Sequence, residues 1–176
     1  MKDDDTASPP ALDEETIAFA GRVFNCARAG QAAELGELLR MGLPANLRND
    51  KGDTLLMLAS YHEHAECTRL LLEANADPEI ANDRGQTPLA AACFKGNQEI
   101  VRLLLRHGAQ VDGCGETGRT ALMMAAMFNR SEIVELLLEQ NADIGARDAS
   151  GKTARDLAEA ISAPDTPAQL LRAAMR

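Results

Sequence analysis

Tryptophan is absent from this 176-residue chain, and the aromatic residues number five: Phe19, Phe24, Tyr61, Phe94 and Phe128. Their scarcity gives weight to where they stand. No run approaches the ~18 consecutive apolar residues of a membrane-spanning helix, which excludes such a helix. The opening Met1-Lys2-Asp3-Asp4-Asp5 lacks the apolar stretch of a secretory leader, so a cytoplasmic chain is expected. A basic surplus is missing too. The formal charge is -9, with Asp3, Asp4, Asp5, Asp13, Glu14 and Glu15 crowded into the first 15 residues. Nucleic acid and anionic membrane both call for a basic surface field, and neither is expected as a partner.

Catalytic signatures are equally wanting. There is no phosphate-binding Gly-rich loop ending in Lys-Ser/Thr, no Gly-x-Ser-x-Gly and no His-Glu-x-x-His. The four cysteines, Cys26, Cys67, Cys93 and Cys114, form no Cys-x-x-Cys pair. The sequence thus points away from an enzyme and from a bound cofactor.

What the chain has instead is a period of 33 residues. Gly52, Gly85, Gly118 and Gly151 fall on it, as do Thr54, Thr87, Thr120 and Thr153. Leu56, Leu89 and Leu122 follow, then Ala59, Ala92, Ala125 and Ala158, then the triplets Leu70-Leu71-Leu72, Leu103-Leu104-Leu105 and Leu136-Leu137-Leu138. A fixed period of this length marks stacked units, each leaving an apolar face that only its neighbour can bury. The third unit reads Gly85-Gln86-Thr87-Pro88-Leu89-Ala90-Ala91-Ala92, then Ile100-Val101-Arg102-Leu103-Leu104-Leu105, then His107-Gly108-Ala109. Over roughly Ile17 to Ala160 the chain resembles the ankyrin repeat.

The resemblance implies an all-α ankyrin-repeat solenoid of helix-turn-helix units with short hairpin turns, four repeats plus a C-terminal half-repeat. Residues 1–12 read as a disordered acidic tail, followed by one domain over 13–176. Within it, 13–48 is a divergent capping repeat, 49–81, 82–114 and 115–147 are regular repeats, and 148–176 holds the half-repeat and a cap helix over about Ala168 to Arg176. Pro164 and Pro167 are expected to break the chain before that helix. The family's histidine after Thr-Pro-Leu is replaced by Met57, Ala90 and Met123. Each Thr can still cap its helix, but the turns are expected to be less rigid than the family norm.

The period also sorts the metal candidates. His62, His64 and Cys67 lie close in sequence, yet His64 shares a slot with Asn97 and Arg130, and Cys67 shares one with Ile100 and Ile133. No metal site is expected. Cys26, Cys67 and Cys93 read as small buried fillers in a reducing compartment, while Cys114 falls in a hairpin.

Three of the five aromatics end first helices in adjacent slots, giving the row Tyr61-His62, Phe94-Lys95 and Met127-Phe128. By resemblance these slots face a concave groove that contacts partners. The turn tips contribute Lys51, Arg84 and Arg119 at positions that vary while their neighbours repeat. Two readings stand for the row: a partner-binding surface, or Tyr61, Phe94 and Met127 packed between first helices. The chain is expected to be a monomer that binds another protein through Lys51, Tyr61, His62, Arg84, Phe94, Lys95, Arg119, Met127 and Phe128. An inhibitor or immunity-type protein, or an obligate structural subunit, is the alternative.

Overall fold

A computed structural model describes residues 13–175, so the acidic tail read at 1–12 lies outside the described residues. Ten helices form in the described chain, in pairs: α1 (Glu14–Ala29) and α2 (Ala32–Arg40), α3 (Leu55–Tyr61) and α4 (Ala65–Glu73), α5 (Pro88–Lys95) and α6 (Gln98–Arg106), α7 (Ala121–Met127) and α8 (Ser131–Glu139), α9 (Ala154–Ala160) and α10 (Thr166–Ala174). The first helices α1, α3, α5, α7 and α9 stack side by side, and the second helices form a layer behind them. This is the all-α repeat solenoid that the resemblance implies.

The Thr column starts the first helices. In each case a Thr in extended backbone accepts a hydrogen bond from the amide three residues on: Met57 to Thr54 (3.0 Å), Ala90 to Thr87 (3.2 Å), Met123 to Thr120 (3.4 Å) and Asp156 to Thr153 (3.2 Å). The Asp156 carboxylate in turn accepts from the Thr153 amide (2.9 Å) and completes a capping box. The Ala column, Ala59, Ala92, Ala125 and Ala158, is wholly buried, and its lack of bulk lets neighbouring first helices approach. Leu71, Leu104, Leu137 and Leu170 are wholly buried in the second layer.

The chain turns between paired helices through one left-handed residue per unit: Gly30, Glu63, Gly96, Asn129 and Ser162, with φ between 53° and 93°. Ser162 shows that the C-terminal unit keeps the frame. So do Leu170, one period after Leu137, and Thr166, which occupies the Cys67, Ile100 and Ile133 column and donates to the Ala126 carbonyl at 2.7 Å. The cap helix α10 therefore lies where a fifth second helix belongs. It starts at Thr166, two residues before the expected Ala168, because Pro167 sits in the first turn, where a missing N–H is tolerated, and does not break the helix.

Both ends of the stack exchange core residues for charge. Arg22 and Glu34 occupy the columns of Leu55 and Cys67 and pair at 3.2 Å; Arg155 occupies the column of Leu56, Leu89 and Leu122 and pairs with Glu159 at 2.7 Å. No helix among the described residues is long and apolar enough to cross a membrane.

Candidate partner-binding groove

The turns that project beyond the first helices are held by side chains in the first slot of the unit. The Asn49 side-chain oxygen accepts from the amides of Lys51 and Asp53 (both 2.9 Å), that of Asn82 from Arg84 and Gln86 (both 3.1 Å), and that of Asp148 from Ser150 (2.9 Å) and Lys152 (3.0 Å). These brackets tie three of the four turns to their own first slot. The third turn begins at Gly115, which has no such side chain. An added Cβ there would meet the Gly85 backbone at 2.6 Å, and no other residue fits.

Successive units are also tied to one another. Asn46, Glu79 and Asp112, one period apart, accept from the amides of Asp77 (2.8 Å), Gln110 (2.9 Å) and Asp143 (3.0 Å). At the tips, the Asp83 amide donates to the Lys51 carbonyl (3.2 Å) and that of Ala149 to Thr117 (3.0 Å). The turns thus stand in fixed register against the first helices.

On this frame the aromatic row assembles. Tyr61 stacks on Phe94 with ring centroids 5.9 Å apart and planes within 7°, and Phe94 meets Phe128 edge-on at 4.4 Å. Tyr61 and Phe128 are each 39% exposed, whereas Phe94 and Met127 are half-buried against the core. The packing reading thus holds for Phe94 and Met127, while Tyr61 and Phe128 keep a ring face in water. Lys95 places its ammonium 5.3 Å from the Tyr61 ring centroid and 3.7 Å from Glu63.

Lys51, Tyr61, His62 and Arg84 converge with Arg28 on a recess of about 280 Å³, floored by Met57 and Leu58 and walled by Asn49, Asn82 and Gln86. Burial holds the His62 pKa below the usual imidazole value, with Arg28, His64 and Lys95 adding to the effect, so this ring is neutral at pH 7. Arg119 stands apart. Its guanidinium lies 4.0 Å from the buried carboxylate of Asp148, which ties it to the next turn.

Of the three residues close in sequence, His62 and His64 hold their rings 6.4 Å apart, centroid to centroid. His64 bonds the Arg28 carbonyl at 2.9 Å through Nε2, and Cys67 is buried. Among the described residues no three His, Cys, Asp or Glu side chains gather as a metal would need. Cys26 and Cys93 are buried and Cys114 is exposed.

Comparison with known proteins agrees with this geometry. A family model of ankyrin repeats in three copies matches residues 23–112 and 74–148. A curated ankyrin repeat protein of Pseudomonas aeruginosa is 58% identical over 66 residues, which cover 37% of this chain and 39% of that protein. The match spans about two fifths of that relative's length. Ankyrin repeats mediate protein–protein interaction, and the fold is one of interaction rather than catalysis. By its period, its stacked helix pairs and this match across most of its length, the chain belongs to the ankyrin repeat family.

Proposed function

We propose that the chain binds a partner protein in the groove between its turn tips and first-helix ends, through Lys51, Tyr61, His62, Arg84, Phe94, Lys95, Arg119, Met127 and Phe128. One observation carries the reading. In a chain with five aromatics, three form a continuous row across three units, and its outer rings stay exposed beside a polar recess. Aromatic anchors of this kind dominate interface energetics. The bracketed turns and the shared core hold the row in place, so binding loses little conformational entropy. Cations flank the row, so the partner presents acidic groups around an apolar centre. The chain acts as a monomer in the cytoplasm.

Affinity capture with mass spectrometry identifies the partner, and calorimetry then tests the site. Phe128→Ala should weaken binding by ~2 kcal/mol or more with stability largely kept, since Phe128 caps α7 and is not part of its core. Arg84→Glu should mainly slow association and change its salt dependence. Arg84 is a cleaner choice than Arg119, whose reversal would set two carboxylates together at Asp148. Unchanged affinity in both variants refutes the groove.

A further inference from the structure

The recess between the turns of the second and third units is uneven in its hydrogen-bonding groups. The amide and carboxylate acceptors of its walls are spent on the protein's own donors. The Asn49 and Asn82 side-chain oxygens each take two turn amides, and the Gln86 side-chain oxygen accepts from Asn82 Nδ2 (3.3 Å). Asp53 is nearly buried and accepts from Asn82 Nδ2 (2.8 Å) and Asn49 Nδ2 (3.4 Å), while Asp50 stands exposed at the rim.

The donors are in the opposite condition. Arg28 in the last turn of α1, Lys51 on the second unit's turn and Arg84 on the third's have no ion-pair partner among the described residues. Arg28 donates to the neutral Asn25 side chain of its own helix (2.6 Å), and the bond at Gln86 Oε1 leaves Gln86 Nε2 as a further donor. In contrast, Arg22, Arg48, Arg69, Arg119 and Arg155 are each paired with an acid. A site with open donors and filled acceptors selects an anion.

Charge and size narrow the anion. Three cations against the two carboxylates leave one positive charge in surplus, in a chain whose formal charge is -9. One carboxylate cancels that surplus, whereas a phosphomonoester, at roughly -1.5 to -2 near pH 7, would overfill it. The volume of about 280 Å³ lies just under the roughly 300–1,000 Å³ of pockets that enclose a drug-sized ligand, so one head group on a short stem fits. The buried Met57 and Leu58 give that stem an apolar floor.

We propose that the recess is a carboxylate-binding site, in which an acidic group rests its stem on Met57 and Leu58 and sets its two oxygens among Arg28, Lys51 and Arg84, with the Gln86 amide as a further donor. Arg28 thereby joins the groove, although it belongs neither to the aromatic row nor to the turn tips. That the carboxylate comes from an acidic side chain of the partner rests on the proposed groove function; the chemistry of the pocket does not.

The test titrates the ¹⁵N-labelled chain by NMR, at pH 7 and constant ionic strength, with phenylacetate, its neutral amide phenylacetamide, and phenyl phosphate. Phenylacetate should shift the amides of Gly52, Arg84 and Gln86 along a saturating curve. Phenylacetamide should bind roughly ten-fold or more weakly, the loss expected when a charge-assisted hydrogen bond goes. Arg28→Gln and Lys51→Gln should each weaken phenylacetate by a similar factor; both side chains are exposed, and unshifted amides elsewhere check that the fold is kept. Bound phenylacetate should also move the His62 titration to higher pH, because a nearby carboxylate favours the protonated ring. Arg28, His64 and Lys95, the charged groups that act on His62, are the same in the free and bound chain. His107, bonded to the Leu103 carbonyl at the end of α6, is the internal control and should not move. Equal affinity for the amide, tighter binding of phenyl phosphate, or unchanged affinity in both variants overturns the inference. If phenylacetate is not bound and Phe128→Ala still weakens the captured partner, the carboxylate site alone is refuted. If phenylacetate binds as expected while the partner docks elsewhere and ignores Arg28→Gln, the site stands for a free small carboxylate and the groove function falls.

Discussion

Ser60 shares a wholly buried column with Ala27, Cys93 and Ala126, and its hydroxyl oxygen has no hydrogen-bond partner among the described residues. A buried polar group left unpaired is destabilising, so Ser60→Ala should raise stability by about 1 kcal/mol, read as a higher urea midpoint at constant slope. A loss of that size would mean that the hydroxyl is bonded in solution. Cysteines give a second check at this scale. Burial pushes the Cys26 thiol up to about 11, with Glu34 adding to the effect, and raises Cys67 and Cys93 as well. Because the thiolate is the reactive form, one thiol per folded chain, Cys114, should react quickly with Ellman's reagent and all four after unfolding. Two or more fast thiols in the folded state would contradict the burial of Cys26, Cys67 and Cys93.

The starts of the first helices α3, α5, α7 and α9 were legible to the residue, because Thr54, Thr87, Thr120 and Thr153 recur with one local geometry. The helices that end at Tyr61, Glu73, Arg106, Met127 and Glu139 are each closed by the next residue as the cap. The turn brackets were harder to read. Asn49, Asn82 and Asp148 hold the right slot, but Gly115 interrupts the column for a packing reason that only the stack reveals. The recess was harder still, since Arg28, Lys51 and Arg84 come from three units and meet only in the stack. At the last first helix, the hydrogen bonds of the capping box hold the Asp156 carboxyl below the usual range. A pKa lower in the folded than in the unfolded chain contributes stability above about pH 4, lost as pH falls through the folded value. Asp156→Asn should therefore lower the urea midpoint at pH 7, and the gap to the parent should close as the pH falls through the folded value. A gap that is constant with pH would assign the loss to packing instead.

Across the whole molecule the core runs unbroken from Val23 to Leu170, so damage to one unit is felt by its neighbours. Leu104, wholly buried in the central second helix, should cost about 2–5 kcal/mol on truncation to Ala and shift a single cooperative transition. A loss below about 1 kcal/mol would show that the units fold independently. The same continuity makes the groove a fixed surface, with turn tips and aromatic row presented together. The footprint of the captured partner, mapped by amide hydrogen exchange on the complex, tests that role most directly. The account predicts protection at residues 51–53, 61–62, 84–86, 94–95 and 127–128, and none on α4, α6 and α8; protection confined to those second helices, around Glu66, Glu99 and Glu132, would contradict it.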